Sequence, residues 1–360
     1  MALHEAAKRA KKRNPKKIAI VIALVIAILA GIGGGVYALL NSSLFDKGAE
    51  IDMSKYGSPV EVSEKSVNFL VVGADQDEDK GGNYLGRYLT DVIMVVSFDM
   101  EAGKVNLLQI PRDTYVGTKY PSAKINAVYN NGPHDEKILN LIERINEDYQ
   151  LPIDHYVMVT MKTFRDAIDA IGGIEMNVPW DIRVANEGLY VKKGLQTLTG
   201  QQAEAFVRCR EIYAEGDIGR VKAQRVFLSA ALDKITKLSA NELIKLISMS
   251  YSQVNTDLTA ADILTYAQKV SKINLEDMEM YMVPGESARS AEGLSIWSVH
   301  KKEVADLLNE KFRPYTDDVP ASELKCIEVS NRYGYYNENG NTAQDIIDGA
   351  KPGTDTINKK

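Results

Sequence analysis

Val67-Asn68-Phe69-Leu70-Val71-Val72-Gly73-Ala74-Asp75 opens the folded part of this chain. The run is rich in β-branched and other apolar residues and closes on Gly-Ala-Asp, so it reads as a buried strand with Asp75 just beyond its end. Two further runs of β-type residues follow, Val92 to Phe98 and Val105 to Ile110, joined by the hairpin connection Asp99-Met100-Glu101-Ala102-Gly103-Lys104. Asp91 then lies at a strand end. Residues 134 to 148 read as a helix, Tyr156 to Thr160 as a strand, Lys162 to Ala170 as a helix stopped by Gly172-Gly173, and Ile174 to Val178 as a strand.

Thr199-Gly200-Gln201-Gln202 has capping-box spacing, with a hydroxyl at the helix start and Gln three positions later, so a short helix delivers Arg208. Asp217 suits the cap of a helix from about Ile218 to Leu238, with an apolar face at Val221, Leu228, Leu232 and Ile235. Residues 241 to 311 add helices and a strand near Glu279 to Val283. Strands interleaved with helices predict an α/β domain, a central mixed β-sheet covered by helices on both faces.

Outward from this domain the composition changes sharply. Seven Lys or Arg and a single acid, Glu5, lie in residues 1–17, and residues 18–40 carry no charge. At about 1.5 Å per residue that run spans a hydrocarbon core roughly 30 Å thick, which predicts one N-terminal transmembrane helix. Positive charge before it and almost none after it place the amino terminus in the cytoplasm and the rest outside the cell membrane. Residues 41–64 read as a stalk, 65–313 as the domain, and 314–360 as an extension whose polar, Gly- and Asn-rich part after 337 is expected to be flexible.

The formal net charge is −6, and because the basic segment is cytoplasmic, the external part is more acidic still. Nucleic acid is therefore excluded as a partner, there being neither a cationic surface nor a recognition motif. Two cysteines, Cys209 and Cys326, give no disulfide framework, and the four histidines have no triad or zinc spacing. No GxxxxGK[ST] loop or Gly-x-Ser-x-Gly elbow is present, which argues against P-loop hydrolysis and serine hydrolysis.

The chemistry-bearing residues form three groups. Asp75 and Asp91 at strand ends are either turn formers or a carboxylate pair of the kind that holds Mg²⁺ together with substrate phosphates. Ile110-Pro111-Arg112-Asp113-Thr114-Tyr115-Val116 puts a charged pair directly after a strand, where Pro stops the ladder, and Arg112 either pairs on the surface or points into a cleft. Lys124 is a weaker candidate. In Arg208-Cys209-Arg210-Glu211-Ile212-Tyr213-Ala214-Glu215-Gly216-Asp217-Ile218-Gly219-Arg220, continuing to Gln224, guanidinium forks suit phosphate oxygens, although pairing with Glu211 or Glu215 accounts for them as well.

The joint order of Gly73-Ala74-Asp75, Leu89-Thr90-Asp91, Ile110 to Val116, Lys124-Ile125-Asn126, Pro152-Ile153-Asp154-His155-Tyr156, Ile171-Gly172-Gly173-Ile174 and the Arg208 to Gln224 segment resembles the LytR-CpsA-Psr family from about Val67 to Leu238. The resemblance implies a membrane-anchored phosphotransferase that moves an anionic glycopolymer, of teichoic acid or capsule type, from undecaprenyl pyrophosphate to the muramic acid 6-hydroxyl of peptidoglycan in a Gram-positive wall. It also implies Mg²⁺ at Asp75 and Asp91, pyrophosphate contacts from Arg112, Lys124, Arg208, Arg210, Arg220 and Gln224, and orienting roles for Asp113 and Asp217. The polyprenyl chain is expected between sheet and helices. Leu89 departs from the family, where Arg is common, with Arg87 as a substitute, and Glu211, Ile212, Tyr213 and Ala223 depart from more basic or polar patterns. Rival readings are a lipid-linked saccharide pyrophosphatase using the same residues and a non-catalytic protein that docks or regulates wall polymer.

Overall fold

Strands β1 (Ser66–Glu78), β2 (Tyr84–Asp99) and β3 (Lys104–Gln109) form an antiparallel meander. β4 (His155–Thr160) lies parallel to β1 on its other side. Three small two-stranded ladders are built from β5 (Ile174–Val178) with β8 (Gly194–Leu198), β6 (Ile182–Val184) with β7 (Leu189–Val191), and β11 (Gly285–Arg289) with β12 (Ser295–Val299). β9 (Asn255–Thr256), β10 (Met278–Met282) and β13 (Asn341–Thr342) complete the main sheet, in the order β13-β10-β3-β2-β1-β4-β9. Because β4 and β10 enter parallel among antiparallel neighbours, the sheet is mixed. This computed structural model describes residues 65–78, 84–184, 189–209, 212–213, 217–238, 242, 246, 253–258, 262, 266, 274–332 and 340–349, without the side chains of 76–78, 84–87, 217 and 236.

The period-2 alternation of strand side chains divides the apolar residues between two cores. Phe69, Val71, Val96, Phe98, Leu107 and Val157 face one layer, where they meet α3 (Met161–Ala170), α4 (Gly200–Arg208) and α5 (Asp217–Thr236). Leu70, Val72, Ile93, Val95, Leu108 and Tyr156 face the other, against α2 (Lys137–Tyr149) and α6 (Lys301–Lys311). A short 3₁₀ turn, Ile125–Ala127, leads into α1 (Val128–Asn131) on this second side. Burying each large side chain contributes about 1.5–3 kcal/mol, so a strand that is apolar on both faces is stable only between two such layers.

Three expectations need correction. β1 and β2 continue past Gly73 and start before Val92, because Asp75, Gln76 and Glu78 keep pairing with Leu89, Tyr88 and Tyr84. Asp75 and Asp91 are thus inside a long hairpin and not at strand ends; a polar ribbon whose ladder is satisfied within itself gives no hydrophobic signal. Helix α5 is not a one-faced amphipathic helix, since Arg220, Lys222 and Arg225 are buried together with Val221, Leu232 and Ile235. The expectation of a flexible tail after residue 337 does not extend to 341–349, where β13 pairs with β10 and α7 (Ala343–Gly349) packs Ile346 and Ile347 on the first core. The membrane span 18–40 and stalk 41–64 lie outside the described residues, among which no helix is long and apolar enough to cross a membrane.

Candidate active site

The site starts from a slip in the β1–β2 register. Gly73 faces Val92 while Ala74 faces Thr90, which leaves Asp91 as the extra residue of a β-bulge. A bulge bends the strand and re-aims the side chain of its unpaired residue. The strands approach closely opposite, where a Cβ at position 73 would come 3.0 Å from Val92 Cβ and oblige that side chain to give by a few tenths of an ångström. Thr90 locks the bent strand by donating its hydroxyl to the Asn126 carbonyl at 3.2 Å.

Pro111 ends β3 pairing and builds a tight turn in which the Thr114 amide and hydroxyl both donate to the Pro111 carbonyl, at 2.9 and 2.6 Å. The turn presents Arg112, whose Nη1 donates to Asp91 Oδ1 at 2.5 Å. Asp113 Oδ1 lies 3.7 Å from Arg112 Nε and 3.1 Å from Lys124 Nζ, so one carboxylate steadies two cations. Lys124 arrives through a bridge between Tyr115 and Lys124 and a hydrogen bond from Ile125 N to the Thr114 carbonyl at 2.9 Å. Ala123, just before it, holds a left-handed φ of 55°, an uncommon backbone for a non-glycine residue.

A second group comes from the helical layer. Arg208, the last residue of α4, reaches Asp75 Oδ2 with Nη2 at 2.9 Å and Glu204 Oε1 with Nη1 at 2.8 Å. Burial opposes the charge on Arg208, yet Glu204, Asp75 and Asp91 outweigh it and push its pKa up. Both aspartates therefore act on one guanidinium, and the two groups form a single charged cluster. Ion pairs of partial exposure contribute only about 0–1 kcal/mol each to stability, so such a concentration is poorly explained as a folding device.

The other expected residues are distributed unevenly. Arg220 is buried in the first turn of α5. Gln224, one turn later, spends its amide on the fold, donating to the Val207 carbonyl at 3.1 Å and accepting from Gln109 Nε2 at 2.6 Å. Arg210 lies outside the described residues, as do the side chains of Arg87 and Asp217. Leu89, register partner of Asp75, is 40% exposed beside the cluster. Cys209 packs partly buried on the core, and neither Cys209 nor Cys326 is in a disulfide.

Immediately behind the cluster an apolar cavity of about 170 Å³ runs between the sheet and α3 and α5. Gly73, Val92, Val207 and Gln224 line its charged end, while Phe164, Ile171, Leu232 and Ile235 belong to the rest of its wall. Among the described residues, Thr163 and Gln224 are its only polar lining residues. A slot of this composition suits apolar groups, and its end meets the carboxylates and guanidiniums.

The donor set is compatible with a hard divalent cation. Among the described residues no group of three or more His, Cys, Asp and Glu is placed to hold a metal, whereas two carboxylates suffice for Mg²⁺ when a phosphate substrate supplies further oxygens. Sequence reasoning missed Glu204, Arg165 and Gln109. Glu204 lies four residues before Arg208 on the same helix, a spacing that favours an ion pair and was available as a signal; Arg165 and Gln109 are brought in only by tertiary contact.

A model of the LytR_cpsA_psr family matches residues 39–313. The chain is 31% identical over 292 residues to the polyisoprenyl-teichoic acid–peptidoglycan teichoic acid transferase TagU of Bacillus mycoides (strain KBAB4), covering 78% of this chain and 91% of that protein. It is 30% identical over 243 residues to TagV of Bacillus subtilis (strain 168), a transferase of the same description, covering 62% of this chain and 60% of that protein. The crystal structure of B. subtilis TagV superposes with a TM-score of 0.58 at 28% identity, over 71% of this chain and 100% of that one.

Proposed function

The chain belongs to the LytR-CpsA-Psr family, and from that premise we propose that it is a membrane-anchored, Mg²⁺-dependent phosphotransferase on the outer face of the cell membrane. Its donor is an anionic glycopolymer on undecaprenyl pyrophosphate, and its acceptor is the muramic acid 6-hydroxyl of peptidoglycan. One observation carries this reading: an apolar slot ends at the Asp75, Asp91 and Arg208 cluster, which matches a ligand that is a long hydrocarbon at one end and a pyrophosphate at the other. Teichoic acid transfer by TagU and TagV supports the same class of donor and acceptor.

In the proposed reaction the acceptor hydroxyl oxygen forms a bond to the sugar-proximal phosphorus. The bridging P–O bond breaks, its electrons leave with the lipid monophosphate, and the proton of the acceptor hydroxyl passes to that departing phosphate or to solvent. Chemistry of this kind needs positioning and charge stabilisation more than covalent help from the protein. Arg208, Arg112 and Lys124, with Arg210 and Arg220, bind the pyrophosphate oxygens, Asp113 holds Arg112 and Lys124 in place, and the slot fixes the polyprenyl chain. Bound Mg²⁺, held by Asp75 and Asp91, would offset the charge that develops on the phosphate oxygens.

The test uses the full-length protein in detergent with a lipid-pyrophosphate-linked saccharide, a peptidoglycan oligomer and Mg²⁺. A phosphodiester-linked product is expected, with Asp75→Ala and Asp91→Ala each reducing transfer by at least about 100-fold, the scale of losing one electrostatic group in an active site. Saccharide phosphate released equally with and without acceptor would identify a pyrophosphatase instead. Wild-type activity in both variants would leave only a polymer-docking role.

A further inference from the structure

Glu204 holds guanidiniums from two helices at once. One oxygen accepts from Arg208 Nη1 at 2.8 Å and the other from Arg165 Nη1 at 2.5 Å. The Glu204 side chain is 12% exposed and that of Arg208 is 43% exposed, so the carboxylate lies behind an arginine that faces solvent and Asp75. An Arg at a helix end has many rotamers open to it, and a planar fork held along one edge presents its remaining donors in a fixed direction.

The packing of α3 on α4 makes this arrangement possible. A Cβ on Gly200 would lie 2.3 Å from the Arg165 carbonyl oxygen, so the two helices touch backbone to backbone at that point. Asp169 Oδ1 accepts from Gly200 N at 2.7 Å and secures the contact. Glu204 is one turn further along α4, and Arg165 is thereby brought against it. Arg165 also has an electrostatic role. A bare carboxylate directly behind a phosphate-binding arginine would repel an anionic ligand, and the Arg165 charge offsets it.

We infer that Glu204 is a positioning residue that aims Arg208 at the anion, and that Arg165 is the counter-charge that keeps Glu204 from opposing binding. The inference rests on the reading of Arg208 as a pyrophosphate ligand. It predicts that Glu204 acts only through Arg208, so the losses caused by changing the two residues are not additive.

Binding of farnesyl pyrophosphate with Mg²⁺ to the full-length protein, followed by calorimetry, tests both levels. Arg208→Ala should weaken binding about tenfold or more, and Glu204→Gln about three- to tenfold, the range expected when a charge-assisted hydrogen bond is impaired. The double variant should bind no more weakly than Arg208→Ala alone. Multiplying losses, or a Glu204→Gln protein that has an altered melting temperature but wild-type affinity, would overturn the positioning role and leave the pyrophosphate reading intact. If Arg208→Ala binds like wild type, the pyrophosphate reading itself falls, and the inference falls with it. Arg165→Ala, which leaves Arg208 and Asp75 in contact, repeats the cycle from the other side should Glu204→Gln fail to fold, and it too should lose affinity only while Arg208 is present.

Discussion

Single residues in this protein carry unlike burdens, as Asp75 and Asp148 show. Asp75 is a partly exposed acid in the charged cluster, paired with Arg208, and its identity as a candidate was legible from the order of motifs around it. Asp148 gave no such signal, because only the fold makes its side chain 1% exposed, paired with Arg144 Nε at 2.7 Å. Burial pushes the Asp148 pKa from 3.8 up to about 6 despite the opposing pull of Arg144. Between those two values the folded protein holds a proton that the unfolded chain has already released, so this residue's contribution to stability falls as pH rises from about 4 to about 6 and is constant outside that window. Denaturation by urea at a series of pH values should show wild type losing stability relative to Asp148→Asn across that range. An unchanged difference between the two proteins from pH 4 to pH 6 would contradict the assignment.

Among the elements, those with a strong local pattern were read correctly. The Thr199 capping box forms as its spacing requires, with the Gln202 amide donating to Thr199 Oγ1 and Gln202 Oε1 accepting from Thr199 N. The apolar cores of β1, β2 and β3 followed from their β-type runs, but the polar hairpin beyond them did not, since its pairing depends on a partner strand and not on burial. Helix α5 misled for a related reason: its buried Arg220, Lys222 and Arg225 look like a solvent face in one dimension. The α3–α4 contact is the element on which the charged cluster most depends. Gly200→Ala places a methyl group against the Arg165 backbone, and the overpacking should cost about 1–3 kcal/mol in denaturant unfolding. Because α4 carries both Glu204 and Arg208, farnesyl pyrophosphate affinity should fall as well; full retention of affinity in a destabilised variant would show that the cluster tolerates movement of this helix.

For the whole molecule, the decisive feature is the junction of an apolar slot with the charged cluster on the β1–β2 hairpin, and neither half means much alone. Ala231 lines the slot away from the charges, so Ala231→Phe should fill it, reducing farnesyl pyrophosphate affinity about tenfold, roughly 1.4 kcal/mol, while inorganic pyrophosphate binds as before. Equal effects on both ligands, or none on either, would place the hydrocarbon chain elsewhere. The sequence by itself determined the α/β class, the family resemblance and most of the candidate residues, because hydrophobic period, capping and motif order are local properties written along the chain. Only the tertiary structure decided that Asp91 sits on a bulge, that Glu204 and Arg165 stand behind Arg208, and that the core beside them is left partly empty. Those facts depend on register, on helix contact distance and on the volume left between layers, quantities set by residues far apart in sequence that meet only when the chain is folded.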